Sequence, residues 1–406
     1  MQRVNLTCTC NLNSPSIEYT IFCNNQMLRI AASLVKESSL ILLIALIGPV
    51  HAQSIGVWNN ASEGFRSQGM VRMGLASANP SPIHAYQAEN HLAKQYQDRI
   101  GAGIDQLMGQ LKTRIVLISS DRHIVYQNYA TQSMRSSTPL GYSMSKSLTS
   151  LTIGHALCAN PNVVLSTKAE VLIHQLKGSS WGQSSIEELL LMKSGSARQD
   201  PQSNGWQSEA VALTHRPVYV GGRTQDVFDL MIKHDLKEFK PGTSHQYSNY
   251  DTLTLGFVVE AITGKKFHEY FYETIWKEIA ANKNGAWLVN ALDQTYTAAG
   301  FSAAPEDWLR IGHYVIDQIN TKTCLGQFLS KAIEPKERSF TPTRCYGYQI
   351  WNWCQKDTFF FLGYGGQYLI MNPSKRWVSY VHQTTHENDA QLIALLSSGL
   401  YLENNK

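Results

Sequence analysis

Strand-like stretches in this chain are confined to its two ends, and that distribution most narrows what it can fold into. Arg114–Ser119 and Ile124–Tyr129 are rich in β-branched and aromatic residues and flank a Ser-Asp-Arg turn, which reads as a hairpin. Strands return only at Tyr346–Trp353, Thr358–Leu362, Tyr368–Met371 and Trp377–Gln383, separated by Gly, Asn and Pro. Between them, to about residue 340, the pattern is helix and loop. A helix opens at Ser143 with Met144, Leu148, Leu151 and Cys158 on one face. Others are expected over Ile186–Met192, Gln225–His234, Leu253–Ile262 (ended by Thr263-Gly264) and Pro305–Ile319. Asp98–Leu111 and Ala390–Leu402 read as helices beside the terminal strands. The expected class is α+β: an antiparallel sheet built from both chain ends, flanked by helices, with a mostly helical region at about 160–340 inserted. With 406 residues and 43% hydrophobic content, the chain suits one large domain or two intimately packed ones.

The start of the chain reads as an export signal. Met27-Leu-Arg-Ile and Lys36 supply positive charge, Leu40–Ile47 an apolar core, Gly48-Pro49 a break, and Val50-His51-Ala52 small residues for cleavage. Residues 1–52 are therefore expected to be a signal segment, with Met27 an alternative start, in a protein exported to the periplasm or beyond a bacterial cell. The apolar run is short for a bilayer span, so no stable span is expected after cleavage; an uncleaved anchor or a buried helix are the other readings. Residues 53–94, rich in Asn, Ser, Gly and Gln, read as an irregular extension. A net charge of +4, from 35 basic and 31 acidic residues without a basic run, gives no footprint for nucleic acid.

Cys8, Cys10 and Cys23 fall in the leading segment, leaving Cys158, Cys324, Cys345 and Cys354. Cys345 and Cys354 flank the strand-like Tyr346–Trp353, whose extended ends would lie roughly 30 Å apart, beyond disulfide reach. Cys158 on its apolar helix face reads as a free buried thiol, and Cys324 with Cys345 or Cys354 as the more natural bridge. There is no C-x-x-C and no H-E-x-x-H, so neither a metal nor another cofactor is expected.

The chemistry-bearing motif is Ser143-Met-Ser-Lys146 at the start of a helix. Residues three apart share a helix face, so hydroxyl and amine stand side by side. A serine hydroxyl needs a neighbouring base to become a nucleophile, and a desolvated lysine can be that base. The helix N-terminus favours a developing alkoxide. The same spacing also suits an ordinary helix cap followed by a solvated lysine, and Ser33-Leu-Val-Lys36 repeats it in the leading segment.

Two further stretches lend support. Pro241-Gly leads to Tyr247-Ser-Asn249 before the helix at Leu253. A phenol near a lysine ammonium is pushed toward phenolate and could act as base on the serine and acid on the leaving group. Asn249 could hold Lys146 or a substrate amide; Tyr126-Gln-Asn128 has the same pattern but lies in an expected strand. The third stretch is Gly363-Tyr364-Gly365-Gly366-Gln367 at a strand entry, where glycines let backbone approach a ligand. The N–H groups of Gln367 and Ser143 could form an oxyanion hole, each such donor contributing ~3–4 kcal/mol.

In this order, each about a hundred residues from the next, these motifs resemble the serine β-lactamase-like hydrolases, specifically the class C-like branch that includes esterases, D-aminopeptidases and 6-aminohexanoate-dimer hydrolase. Leu189-Leu-Leu-Met-Lys-Ser-Gly195, Lys240-Pro-Gly-Thr243 and Ala299-Gly300 through Asp307-Trp-Leu-Arg310 are similar to further family segments, so the resemblance covers roughly 95–402. It implies a β-lactamase/transpeptidase-like fold, Ser143 as acylated nucleophile, and Lys146 and Tyr247 as the proton-handling pair. It implies that Asn249, Tyr364, Gly365, Gly366 and Gln367 bind substrate or oxyanion. Where β-lactamases carry Lys-Thr-Gly, this chain has Tyr364-Gly365-Gly366. The missing cation disfavours penicillins and D-Ala-D-Ala peptides and favours an ester, a linear amide or an amide-linked oligomer, with the Tyr-Gly-Gly-Gln form more like 6-aminohexanoate-dimer hydrolase. The expected partner is a small-molecule ester or amide, with oligomeric state open.

A binding or sensor protein that acylates without turnover, and an acyltransferase, are the alternative functions. A Ser-His-Asp triad through His245 or His382 lacks a Gly-x-Ser-x-Gly elbow. Asp200, Trp206, Arg216 and Arg223 lie on a polar loop that lines the cleft or is plain surface.

Overall fold

The computed structural model describes residues 18–23, 26–31, 71–85, 90–109, 113–198, 226–338, 344–354, 357–384 and 389–399. The chain divides into two units, Met1–Ala52 and Gln53–Lys406. In the first, β1 (Glu18–Cys23) and β2 (Gln26–Ala31) pair antiparallel, with Met27 opposite Phe22. The apolar run Leu40–Ile47 and the cleavage-like Val50-His51-Ala52 lie outside the described residues. Among the described residues no helix is long and apolar enough to cross a membrane.

The second unit is built on an eight-stranded sheet in the order β5-β4-β13-β12-β11-β10-β9-β8. Its strands are β4 (Thr113–Ser120), β5 (His123–Tyr129), β8 (Glu337–Arg338), β9 (Cys345–Tyr346), β10 (Trp351–Asn352), β11 (Phe359–Gly363), β12 (Gln367–Asn372) and β13 (Trp377–Gln383). Every pairing is antiparallel, and β4 joins β13 with Leu117 opposite Tyr380, so both ends of the domain share one sheet. The β4–β5 turn places Asp121 and Arg122 at positive φ, the twist-matched geometry of a two-residue hairpin. A smaller sheet joins β3 (Val71–Gly74), β6 (Gly285–Leu288) and β7 (Phe301–Ser302). Part of the expected irregular extension is thus a strand, with Val71 opposite Leu288.

Labelled in chain order, the main helices are α1 (His91–Tyr96), α2 (Ala102–Gly109), α3 (Met144–Ala159), α4 (Ile186–Leu190), α5 (Val227–Lys233), α6 (Asn249–Thr263), α7 (Pro305–Asn320), α8 (Cys324–Ala332) and α9 (Asp389–Gly399). The first helix starts earlier than expected because the Asn90 side chain accepts the N–H groups of Leu92 and Ala93, a cap the apolar periodicity does not announce. Strand alternation sends Val116, Ile118, Phe360 and Ile370 to one core with Tyr96, Ile104 and Leu396. It sends Ile115, Leu117, Phe361 and Leu369 to the other, with Leu148 of α3, Val258 of α6 and Val315 of α7.

Helix α3 is buried nearly all round rather than along one stripe. Its small hydroxyl residues make that affordable: Ser147 donates to the Gln349 carbonyl, Thr149 to that of Thr297, and Ser145 accepts the Phe301 N–H. At Gly154 an added Cβ would lie 2.6 Å from Phe328, so α8 rides close against α3.

The disulfides correct the sequence expectation twice. Cys158 is bonded to Cys324, not free, because α8 begins against the end of α3. Cys345 is bonded to Cys354, with Cα atoms 5.0 Å apart. Tyr346–Trp353 is not one extended strand but a tight hairpin, β9–β10, turning through Gln349 at φ 59° and pairing Cys345 with Asn352.

Candidate active site

The nucleophile candidate sits where α3 emerges from a tight turn. The Gly141 N–H is tied to the Phe301 carbonyl at 2.9 Å, and an added Cβ there would lie 2.6 Å from Trp308. Tyr142 follows at φ 48°. Ser143 stands at the N-cap position with helical φ and ψ, yet its side chain makes no capping hydrogen bond. Its hydroxyl instead meets Lys146 Nζ at 3.0 Å.

Lys146 is 1% exposed, which removes the reading of a solvated helix lysine. Its second bond runs to the Ala298 carbonyl at 2.9 Å. Burial pushes its amine down to about 7 from the usual lysine value of 10.5. Protonated, the amine donates to both Ser143 Oγ and the Ala298 carbonyl; a neutral amine keeps two N–H donors and one lone pair, so with one donor on Ala298 the lone pair could turn to the serine.

Tyr247 lies on the loop before α6 and shares a side-chain hydrogen bond with Ser143. Lys146 Nζ stands 5.0 Å from its ring centroid. The expected phenolate is not what this arrangement makes. Burial outweighs the Ser143 bond and the Arg198 charge and holds the phenol up at about 12. Of the two, Lys146 has its value near neutrality, whereas Tyr247 stays protonated there.

Asn249 is the first residue of α6, half-buried, two positions past Tyr247. The helix is anchored by Asp251, whose carboxylate accepts from Trp181 Nε1 at 3.1 Å, Ser194 N at 3.2 Å and Ser194 Oγ at 2.7 Å. Burial raises that carboxyl to about 7 against these bonds.

The glycine-rich stretch is the turn joining β11 to β12, with Gly363 opposite Gln367. A Cβ on Gly363 would lie 2.4 Å from the Gly141 carbonyl oxygen, so this glycine lets the strand end abut the turn before Ser143. Gly365 and Gly366 adopt φ of 85° and 86°. Tyr364, 66% exposed, meets the Tyr142 ring edge-on at 6.1 Å. The Gln367 side chain is buried beneath the turn and donates to the Gln383 carbonyl at 2.7 Å.

Ser143, Lys146 and Tyr247 therefore come together, and the Gly363–Gln367 turn adjoins the turn before Ser143. The histidines do not take part: His245 bonds the Leu191 carbonyl at 2.8 Å, and His382 is buried in the sheet, held down at about 3. Asp200, Trp206, Arg216 and Arg223 lie outside the described residues. Sequence reading missed the Ala298 carbonyl, which has no side-chain signature, and Arg198, only two positions from the flagged polar loop. Among the described residues no cluster of three His, Cys, Asp or Glu side chains could hold a metal.

The family model described as Beta-lactamase matches residues 91–396. Among curated proteins, the chain is 41% identical over 49 residues to an Escherichia coli K12 protein provisionally described as a D-alanyl-D-alanine carboxypeptidase, covering 12% of this chain and 11% of that one. A Salmonella schwarzengrund protein of the same description is 33% identical over 98 residues, 24% of this chain and 22% of that one. The chain thus matches under a quarter of these relatives' length. Among solved structures, one provisionally described as a 6-aminohexanoate-dimer hydrolase from Bacillus anthracis superposes with TM-score 0.66 at 19% identity, covering 82% of this chain and 90% of that one. A class C beta-lactamase gives 0.56 at 13%, covering 79% and 98%. EstCE1, a hydrolase with promiscuous acyltransferase activity, gives 0.56 at 13%, covering 76% and 98%. These likenesses carry the fold.

Proposed function

The chain belongs to the beta-lactamase family, and we propose that it is an exported serine hydrolase that cleaves an ester or amide through an acyl-enzyme on Ser143. The observation that carries this reading is the uncapped Ser143 hydroxyl 3.0 Å from a lysine buried to 1% exposure. Neutral Lys146 takes the hydroxyl proton as Ser143 Oγ attacks the substrate carbonyl carbon. The backbone N–H groups of Ser143 and Gln367 hold the oxyanion. Tyr247 gives its proton to the leaving alcohol or amine and recovers one from protonated Lys146. Water then attacks the acyl-serine with the same groups in reverse roles, releasing the acid and free serine. Asn249 orients the substrate beside Tyr247.

Tyr364 carries only a neutral hydroxyl at the hairpin beside the nucleophile, where β-lactamases place Lys-Thr-Gly. A substrate carboxylate finds no cation from that hairpin, which favours esters, linear amides or amide-linked oligomers over penicillins and D-Ala-terminated peptides. Two disulfides in the part of the chain after residue 52 support export to an oxidising compartment, with residues 1–52 as the signal segment and the remainder as the mature protein. The test is release of p-nitrophenol from a short-chain p-nitrophenyl ester by the purified protein and by Ser143→Ala. Turnover lost in the variant supports the reading; equal turnover by both rules out Ser143.

A further inference from the structure

The Tyr247 ring has a wall built by one small element. Tyr346 of β9 meets it edge-on at 6.1 Å, and Trp351 of β10 lies tilted against it at 5.8 Å. These two rings are a cross-strand pair, in contact with each other at 4.7 Å. The strands that carry them are two residues long, near the end of the sheet, where backbone pairing alone fixes them weakly. The Cys345–Cys354 bond closes this hairpin immediately behind the rings.

We propose that the Cys345–Cys354 bond is a redox-sensitive clamp on Tyr247: closed, it presses Tyr346 and Trp351 against the phenol and holds it at Ser143, and opened, it releases the phenol and slows turnover. Opening is a two-electron reduction. A dithiol attacks the disulfide, is itself oxidised to a cyclic disulfide, and leaves Cys345 and Cys354 as thiols. Tyr346 and Trp351 are positioning residues in this scheme, acting through Tyr247. The slowed turnover rests on the hydrolase reading above; the release of the phenol does not.

The titratable groups facing Tyr247 are Lys146, Arg198, Tyr296 and Tyr346. Opening the disulfide adds and removes none of these groups, and Tyr346 is the one among them that the hairpin carries, so a change in the phenol's titration reports its packing against that hairpin. The experiment compares Cys345→Ala/Cys354→Ala with Cys158→Ala/Cys324→Ala in the full chain. Each carries 3-fluorotyrosine at position 247, read by fluorine NMR against pH, and each is assayed on the p-nitrophenyl ester. In the first pair kcat falls roughly ten- to hundred-fold with KM little changed, and the midpoint for Tyr247 drops by about one unit toward an ordinary phenol as water enters. In the second pair both values stay native, and dithiothreitol then reproduces the first pair's change.

Trp351→Phe keeps most of the native midpoint and rate, whereas Trp351→Ala loses both, which covers the case in which the cysteine pair does not fold. An unchanged midpoint in both Cys345→Ala/Cys354→Ala and Trp351→Ala overturns the clamp. If the native protein shows no esterase activity, the ester reading fails and a dedicated amidase or a non-catalytic binder takes its place, and the fluorine titration still decides the clamp.

Discussion

In the proposed mechanism Lys146 is the residue on which the chemistry turns, because it would be a base only while the interior keeps it neutral. Turnover is expected to rise with pH through about 7, following the neutral amine. It then stays level toward about 12, because Tyr247 keeps its proton until then; a kcat/KM–pH profile checks this. Lys146→Arg abolishes turnover, since a guanidinium does not deprotonate. The buried amine also weakens the fold. Its folded value lies below its unfolded one, so the cost is fully present below pH 7 and is relieved as pH rises toward 10.5. Lys146→Met is therefore expected to gain stability relative to the native chain by roughly 4–5 kcal/mol on going from pH 10.5 to below pH 7, read by urea unfolding. The Ser143–Lys146 contact was legible from spacing, because three residues on a helix leave little freedom. The direction of the Tyr247 shift was not, because it depends on burial contributed by Tyr346 and Trp351, a hundred residues away.

Among the elements, the β11–β12 hairpin depends on glycine at its contact with the nucleophile turn. Gly363→Ala would place a Cβ 2.4 Å from the Gly141 carbonyl and push the oxyanion side away from Ser143. The expected result is a fall in kcat of about 100-fold with a stability loss of about 1–3 kcal/mol, checked by steady-state kinetics and thermal unfolding. Asp251→Ala strands the Ser194 N–H, the Ser194 hydroxyl and the Trp181 indole N–H, each costing about 1–3 kcal/mol. Its melting temperature should fall well below that of Asp251→Asn, which keeps a carbonyl acceptor. Helices α6 and α7 were readable because Gly264 at φ 67° and Pro305 in the first turn mark their ends. The β9–β10 hairpin was missed because its alternating aromatics look like one strand. Its turn runs through Gln349, which carries no turn signature.

Over the whole molecule, one sheet in the Gln53–Lys406 unit joins both ends of that domain, and this arrangement followed from the placement of strand patterns, although β6 and β7 lie inside the stretch read as helix and loop. The disulfides did not follow, since they join elements whose packing no local pattern reveals. Cys158–Cys324 spans 166 residues of sequence. In the loop-entropy view its removal costs about 5 kcal/mol, so Cys158→Ala/Cys324→Ala should lower the melting temperature while sparing turnover at 25 °C. The central claim is covalent: acyl transfer to Ser143. Its most direct test is to mix the protein with p-nitrophenyl acetate, quench in acid during the burst, and map the acetyl group by peptide mass spectrometry. The acetyl group is predicted on the peptide carrying Ser143, and on no peptide of Ser143→Ala. Acetyl on another side chain, with turnover surviving in Ser143→Ala, would contradict the account.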